Sequence, residues 1–231
     1  IADKYDLKVI YDAAHAFGVK YKGRGIGSYG DASVFSFHAT KVFNTIEGGA
    51  VTFKEHRYYE KLYNLKNFGI RGEELVTDVG ANAKMNEFCA IMGLCNLKHM
   101  EEALENRKES YEYYRQGFLN INGIRLFDEN VNATKNYAYF PILIEENYGK
   151  SRDELYEILK QNDIYARKYF YPLTADQACF RNKYRNEDIE KARKLSKQVL
   201  VVPLYEGIES KNIKKILDYF MEKRKLDVER I

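Results

Sequence analysis

The run Ser33-Val34-Phe35-Ser36-Phe37-His38-Ala39-Thr40-Lys41 constrains this chain more than any other stretch. Ser33 to Phe37 reads as an apolar strand that delivers a short polar turn, and the turn ends in a lysine. Asn44, Thr45 and Glu47 follow. Gly48 and Gly49 then let the backbone turn tightly into a second apolar run, Ala50 to Phe53. A lysine held off strand ends in this way is open to desolvation, which lowers its pKa and makes the amine a nucleophile. Alone it carries little weight, because most lysines are solvated surface charges.

A second stretch gives it weight. Leu7 to Tyr11 reads as a short buried strand ending in Asp12-Ala13-Ala14-His15-Ala16-Phe17-Gly18. Open α/β sheets bind ligands at the C-terminal ends of their strands, which is where this carboxylate falls. An aspartate there and a lysine after the next strand flank one planar ring. In a pyridoxal phosphate site the aspartate keeps the pyridinium nitrogen protonated while the lysine amine holds the aldehyde carbon.

At these residues the chain resembles the sugar aminotransferases of the DegT/DnrJ/EryC1/StrS family, pyridoxal phosphate enzymes of fold type I. The motifs that carry the resemblance begin with Asp12-Ala-Ala-His15-Ala-Phe-Gly and Gly30-Asp31-Ala-Ser-Val-Phe-Ser36-Phe37-His38-Ala-Thr-Lys41. Glu47-Gly-Gly and Gly80-Ala-Asn82-Ala-Lys84-Met85-Asn86-Glu87 follow, and the likeness continues through Arg167-Lys-Tyr-Phe-Tyr-Pro172-Leu. It implies an α/β fold: the C-terminal part of a large cofactor-binding domain, residues 1–119, plus a small α+β domain, residues 120–231. Measured against the family, the chain corresponds to roughly the last three fifths, so it reads as a fragment, a shortened gene product or a renumbered piece. The missing first part would carry a helix N-terminus for the cofactor phosphate and an aromatic residue stacked on the ring.

The same resemblance implies the site. Lys41 is the cofactor lysine and general acid–base, and Asp12 partners the ring nitrogen. His15 contacts the ring face or its hydroxyl side, or else packs locally at a helix start. Ser36 is the phosphate ligand among the residues before the lysine turn. Asn82 reaches across a homodimer interface to the neighbouring subunit's phosphate, where the bare sequence shows a loop asparagine. His38 points into the substrate cleft or packs, and Glu47 lies on the substrate side. Arg71, Arg167, Lys168 and Tyr169 are candidates for a nucleotide pyrophosphate or base, against the plain alternative of solvated surface groups. The implied reaction takes an amine from L-glutamate to a nucleotide-linked keto sugar such as a dTDP-keto-6-deoxyhexose, with no metal. Lys41 argues against the dehydratase branch, in which histidine replaces the lysine. Two other readings stay open: a homologue that kept the scaffold and lost the site, and another fold type I enzyme such as a cysteine desulfurase.

Composition narrows the setting. A chain 45% hydrophobic and 31% charged has an ordinary globular balance. No apolar run approaches the ~20 residues of a membrane span. The net charge of +3 is spread along the chain, against the clustered basic stripe of a nucleic-acid protein. Cys89, Cys95 and Cys179 lack metal-ligand spacing and read as free thiols of a cytoplasmic protein. Gly25-Ile26-Gly27-Ser28-Tyr29-Gly30 matches a dinucleotide fingerprint but precedes a strand instead of following one, so it reads as a turn.

The remaining elements follow from periodicity. Ile1 to Asp6 reads as a helix end, and 54–68 as a helix with a packing stripe of Tyr58, Tyr59, Leu62, Tyr63 and Leu65, stopped by Gly69. Residues 70–83 read as a loop. Residues 85–119 form one long helical region, with Met85, Phe88, Ile91, Met92, Cys95 and Leu104 on a buried face, and the domain boundary falls near Asn120–Gly123. Beyond it come a strand at 137–144, a helix opened by a Ser151–Glu154 capping box, and an expected strand from Ile164 to Tyr169. A helix at 187–199, a strand at 200–204 and a helix with core Ile213 to Phe220 complete the chain. With large-domain strands missing, the chain is expected to fold poorly alone and expose apolar edges.

Overall fold

The computed structural model describes residues 1–180 and 189–221. Two compact units emerge: 1–103 with 130–136, and 104–129 with 137 onward. The division falls inside a helix, ahead of the boundary expected near Asn120. The reason is that Tyr114 and Phe118, late in that helix, are fully buried in the second unit's core.

In the first unit a short helix α1 (Ala2–Tyr5) leads to β1 (Ile10–Asp12). A small hairpin of β2 (Lys20–Tyr21) and β3 (Arg24–Gly25) precedes β4 (Ala32–Ser36) and β5 (Gly49–Phe53). β4 is the middle strand of a three-stranded sheet, parallel to β1 and antiparallel to β5, with Asp12 in register with Val34 and Ser36 with Gly49. The expected strand from Leu7 starts later because Val9 is taken up by the 31–32 turn: its amide donates to Asp31 Oδ2 (2.8 Å) and its carbonyl accepts from Asp31. The glycine fingerprint is a turn: a 3-10 segment, Ile26–Ser28, closes it, and a strand follows.

Helix α2 (Tyr58–Lys66) ends before Gly69, whose φ of +72° and close approach to the Asp78 backbone exclude a side chain. Its expected packing stripe is not buried. Tyr59, Tyr63 and Leu65 are exposed, and with Leu62, Val34 and Val51 they line an open apolar groove of about 570 Å³. The loop expected after it contains a hairpin, β6 (Ile70–Gly72) and β7 (Leu75–Val76).

The long helical region is two helices, α3 (Glu87–Lys98) and α4 (Met100–Phe118), broken at His99. Asn86 caps α3 by accepting the Cys89 amide at 2.9 Å. The face expected to be buried is instead open: Phe88 is 83% and Ile91 57% exposed, while Cys89 and Gly93 are buried. Apolar residues ring this helix on all sides, so periodicity could not select a face. The side chosen is the one where Asn96 Nδ2 donates to the Asn44 carbonyl at 2.9 Å and Gly93 lies against Thr45.

The second unit is built on an antiparallel sheet, with β9 (Phe140–Ile144) between β8 (Ile124–Leu126) and β10 (Val199–Val202). Helix α5 (Arg152–Gln161) opens with the Ser151–Glu154 capping box. Helices α6 (Glu190–Gln198) and α7 (Ser210–Met221) follow; positions 187 and 188 of the expected α6 lie outside the described residues. Strand alternation divides the apolar residues. Phe140, Ile142, Ile144, Leu200 and Val202 meet the α4, α5 and α7 side chains, while Leu143, Val199 and Val201 meet Tyr139 and Tyr169. β10 ends before Pro203, which has no amide to donate. The strand expected from Ile164 to Tyr169 does not form. Arg167 exchanges both backbone bonds with Val201 (2.9 and 2.8 Å), but the Ala166 amide turns back onto the Ile164 carbonyl and limits pairing to that bridge.

Phe118 is fully buried, with ring centroids 5.0 Å from Phe220 and 5.8 Å from Phe140. Replacing it with alanine is expected to destabilise the second unit by about 3–5 kcal/mol, read as a lower urea midpoint in far-ultraviolet circular dichroism. Val131→Ala, at a 94% exposed position, should leave the midpoint in place.

Candidate active site

The parallel β1–β4 pair sends both strand ends to one edge of the sheet, where Asp12 closes β1 and Ser36 closes β4. The segment between β4 and β5 is tied at its base: the Phe37 amide donates to the Gly48 carbonyl (2.8 Å) and the Thr45 amide to the Phe37 carbonyl (2.9 Å). Thr45, 3% exposed, donates its hydroxyl to the Glu47 carbonyl at 2.6 Å. At Gly48 (φ +154°) any Cβ would strike that hydroxyl, so the turn requires glycine. Beneath, Phe17 stacks on Phe43 at 4.3 Å and meets Phe37 edge-on at 5.5 Å. A Lys41 amide to His38 carbonyl bond (2.9 Å) completes the lysine turn.

On this base Lys41 Nζ lies 3.0 Å from His15 Nε2 and 3.4 Å from Nδ1. Asp12 Oδ1 accepts the Ala14 amide at 3.0 Å. His15 is pushed below its ordinary value, first by partial loss of water around the ring and then by the Lys41 charge, with Asp12 opposing. A neutral imidazole at neutral pH accepts a hydrogen bond from the lysine ammonium without repelling it. Ser36 Oγ lies 3.4 Å from the His38 amide. His38 Nδ1 is 3.0 Å from Thr40 Oγ1, and its Nε2 is 3.7 Å from Glu47 Oε1.

Asp12, His15, Ser36, His38, Lys41 and Glu47 therefore belong to one strand edge and its loop. Arg71 and Asn82 belong to the same unit but to the segment around the α2 C-terminus. Arg71 pairs with Glu60 at 3.3 Å and covers the Tyr63 ring, and Asn82 bridges to Asn67. Arg167, Lys168 and Tyr169 are in the second unit. There Lys168 is bonded to Asp153 and sits 4.3 Å over the Tyr156 ring, and Tyr169 stacks on Phe170 at 4.8 Å. One residue of the site's surroundings went unread in the sequence. Asn136, 8% exposed, donates its side-chain amide to the His15 carbonyl (2.8 Å) and the Phe17 carbonyl (3.0 Å). It lies too far along the chain for any local pattern to connect it to His15.

The architecture is that of the fold type I pyridoxal phosphate transferases. The crystal structure of DesI in the presence of its TDP-sugar product aligns with a TM-score of 0.88 at 32% identity, covering 99% of this chain and 59% of that one. The chain belongs to the DegT/DnrJ/EryC1/StrS aminotransferase family, whose model matches residues 1–221. It is 42% identical over 221 residues to a dTDP-4-amino-4,6-dideoxy-D-glucose transaminase of Shigella dysenteriae, covering 96% of this chain and 59% of the relative. An Escherichia coli protein of the same name is 39% identical over 228 residues, 96% of this chain and 61% of the relative. The chain thus spans about three fifths of the length of the relatives it matches. Among the described residues no helix is long and apolar enough to cross a membrane.

Because its value is depressed, His15 contributes stability that is fully present above pH 6.5 and is lost as pH falls through its lowered folded value. Its ring resonances should titrate below 6.5 by nuclear magnetic resonance. Lys41→Met removes the neighbouring charge and should move the midpoint up, part of the way to 6.5. An unmoved midpoint would show that Lys41 does not face the ring in solution.

Proposed function

We propose that this chain carries the lysine-bearing part of a pyridoxal phosphate-dependent aminotransferase acting on a nucleotide-linked keto sugar. The single observation that carries the reading is the meeting of an amine, an imidazole and a carboxylate at one strand edge, with Lys41 Nζ 3.0 Å from His15 Nε2 and Asp12 acting on the same ring. This donor set suits the cofactor: an amine for its aldehyde, an anion for its ring nitrogen, an aromatic ring for its face and the Ser36 hydroxyl for its phosphate. When bound, pyridoxal phosphate supplies an aldehyde and a pyridinium ring that takes up the electron pair of a breaking C–H bond.

The residues then divide the work. Lys41 Nζ would hold the cofactor's aldehyde carbon and, when free, would carry the proton of the donor's α-carbon. Asp12 holds the proton on the ring nitrogen through its negative charge. His15, neutral at working pH, lies against the ring without adding a competing charge. Ser36 Oγ donates to the phosphate, and Asn82 extends toward the phosphate of a neighbouring subunit in a homodimer. His38 and Glu47 line the substrate side. Arg71 in the first unit, and Arg167, Lys168 and Tyr169 in the second, are each candidates for contacting a nucleotide diphosphate; Arg71 would first give up Glu60 and Lys168 would give up Asp153.

L-Glutamate is the proposed amino donor. The names of the two relatives put the new amine on C4 of a dTDP-linked 6-deoxyglucose, so the acceptor is the corresponding 4-keto sugar. On this reading the protein serves cytoplasmic deoxysugar and polysaccharide biosynthesis.

Incubation with pyridoxal phosphate followed by borohydride should leave a phosphopyridoxyl group on Lys41 by peptide mass spectrometry, and none there in Lys41→Ala. Asp12→Asn should keep the trapped adduct while turnover of L-glutamate with the keto sugar falls by about 10²-fold or more. No adduct in the unaltered chain would leave a scaffold without a working site.

A further inference from the structure

We propose that Asn136 is a positioning residue for this site: its side-chain amide clamps the His15–Phe17 turn and so sets the His15 ring beside Lys41. The inference rests on the functional reading above only for what the ring then serves; the clamp itself stands on geometry.

Asn136 reaches the turn at the end of a strap. Residues 130–136 return to the first unit after α4 and β8. The strap lies along the β2 hairpin, where the Lys22 amide donates to the Asn132 carbonyl (2.7 Å) and the Thr134 amide to the Lys20 carbonyl (2.8 Å). The Lys20 amide in turn donates to Thr134 Oγ1 (2.8 Å), and Tyr21 pairs with Ala133. With the backbone held there, the buried Asn136 spends Nδ2 on two carbonyls, those of His15 and Phe17. An asparagine amide carries two donors on one nitrogen, which suits two carbonyls in one turn; an aspartate of the same shape would set lone pairs against both.

The clamp works from one side and aromatic packing from the other. The Phe17 ring stacks on Phe43, in the loop that carries Lys41, while the Phe17 carbonyl is held by Asn136. The turn's own bonds, Ala13 amide to Val34 carbonyl and Ala16 amide to Ala13 carbonyl (both 2.9 Å) and Val19 amide to Ala16 carbonyl (3.1 Å), hold the Ala13, Ala16 and Val19 amides, and Asn136 adds bonds to the His15 and Phe17 carbonyls. Among the described residues, Lys41 and Asp12 are the charged groups whose fields shift His15. Any swing of the turn changes the ring's distance from the lysine charge and its exposure to water.

The test compares Asn136→Leu, which keeps the approximate shape and removes both donors, with Thr134→Val, which loosens the same strap without touching His15. The readout is the His15 titration in cofactor-free protein. Asn136→Leu should raise the midpoint toward 6.5, and Thr134→Val should lower Tm with the midpoint unmoved. Equal losses of Tm with an unmoved midpoint in both variants would reduce Asn136 to a structural residue and overturn the proposal. Should Asn136→Leu not fold, the unaltered chain decides. Slow solvent exchange of the Asn136 amide protons, with couplings across the hydrogen bonds to the His15 and Phe17 carbonyl carbons, supports the clamp, and fast exchange without couplings refutes it. With pyridoxal phosphate and borohydride, trapping at Lys41 should slow in Asn136→Leu relative to Thr134→Val. A shifted His15 midpoint with no trapping in the unaltered chain would refute the functional reading and leave the clamp standing.

Discussion

The parallel pairing of β1 with β4 is the constraint on which the site depends. Because Asp12 is in register with Val34, the end of β1 and the end of β4 face the same side. An antiparallel β1 would send Asp12 to the far end of the sheet from Lys41. The antiparallel return of β5 adds the second condition, closing residues 37–48 into a loop bonded at its base. A lysine on such a loop has a restricted range of positions, whereas one on an open connection would pay much of its interaction energy back in ordering.

The two units stabilise themselves by different means. The second has a continuous apolar core with both faces of β9 covered, and Tyr114 donates its buried hydroxyl to the Pro203 carbonyl at 2.9 Å. That core draws in the late turns of α4, which is why the division between units precedes the end of the helix. In the first unit an aromatic cluster lies under the lysine loop, where Phe17 packs on the buried Phe37 and Phe43 beside the buried Thr45. Val34 and Val51 of the sheet, and Phe88 and Ile91 of α3, stay exposed. The buried aromatic cluster of the unit therefore sits under the loop that carries Lys41.

Charge pairing separates the candidate groups by what they are committed to. Partial loss of water and then the Lys41 charge hold His15 below its ordinary value against the opposing charge of Asp12, so the imidazole beside Lys41 is neutral at neutral pH. Lys168 is matched by Asp153, and Arg71 by Glu60. An exposed ion pair of this kind is worth little and exchanges readily for a phosphate, so the pairing ranks these residues without removing them.

Much of this was legible in the chain itself. The strand–turn–lysine run, the Ser151–Glu154 box and the emptiness of the glycine fingerprint depend on neighbours in sequence, and local pattern and local structure agree there; the strand expected at 200–204 instead ends before Pro203. Reading failed where several outcomes share one pattern. α3 is apolar all round, so only the position of Asn44 and Thr45 selected its buried face, and the α2 stripe of tyrosines did not reveal whether anything covers it. Ile164 to Tyr169 has strand composition but is paired only where Arg167 meets Val201. The sequence by itself determined which chemical groups stand at the strand ends and which local elements form. Tertiary structure alone decided that Asn136 meets the His15 turn, that Lys168 meets Asp153 and that Lys41 lies against His15. The physical reason is that such bonds depend on where a distant segment returns, at a precision of tenths of an ångström, and no periodicity of neighbouring residues encodes that distance.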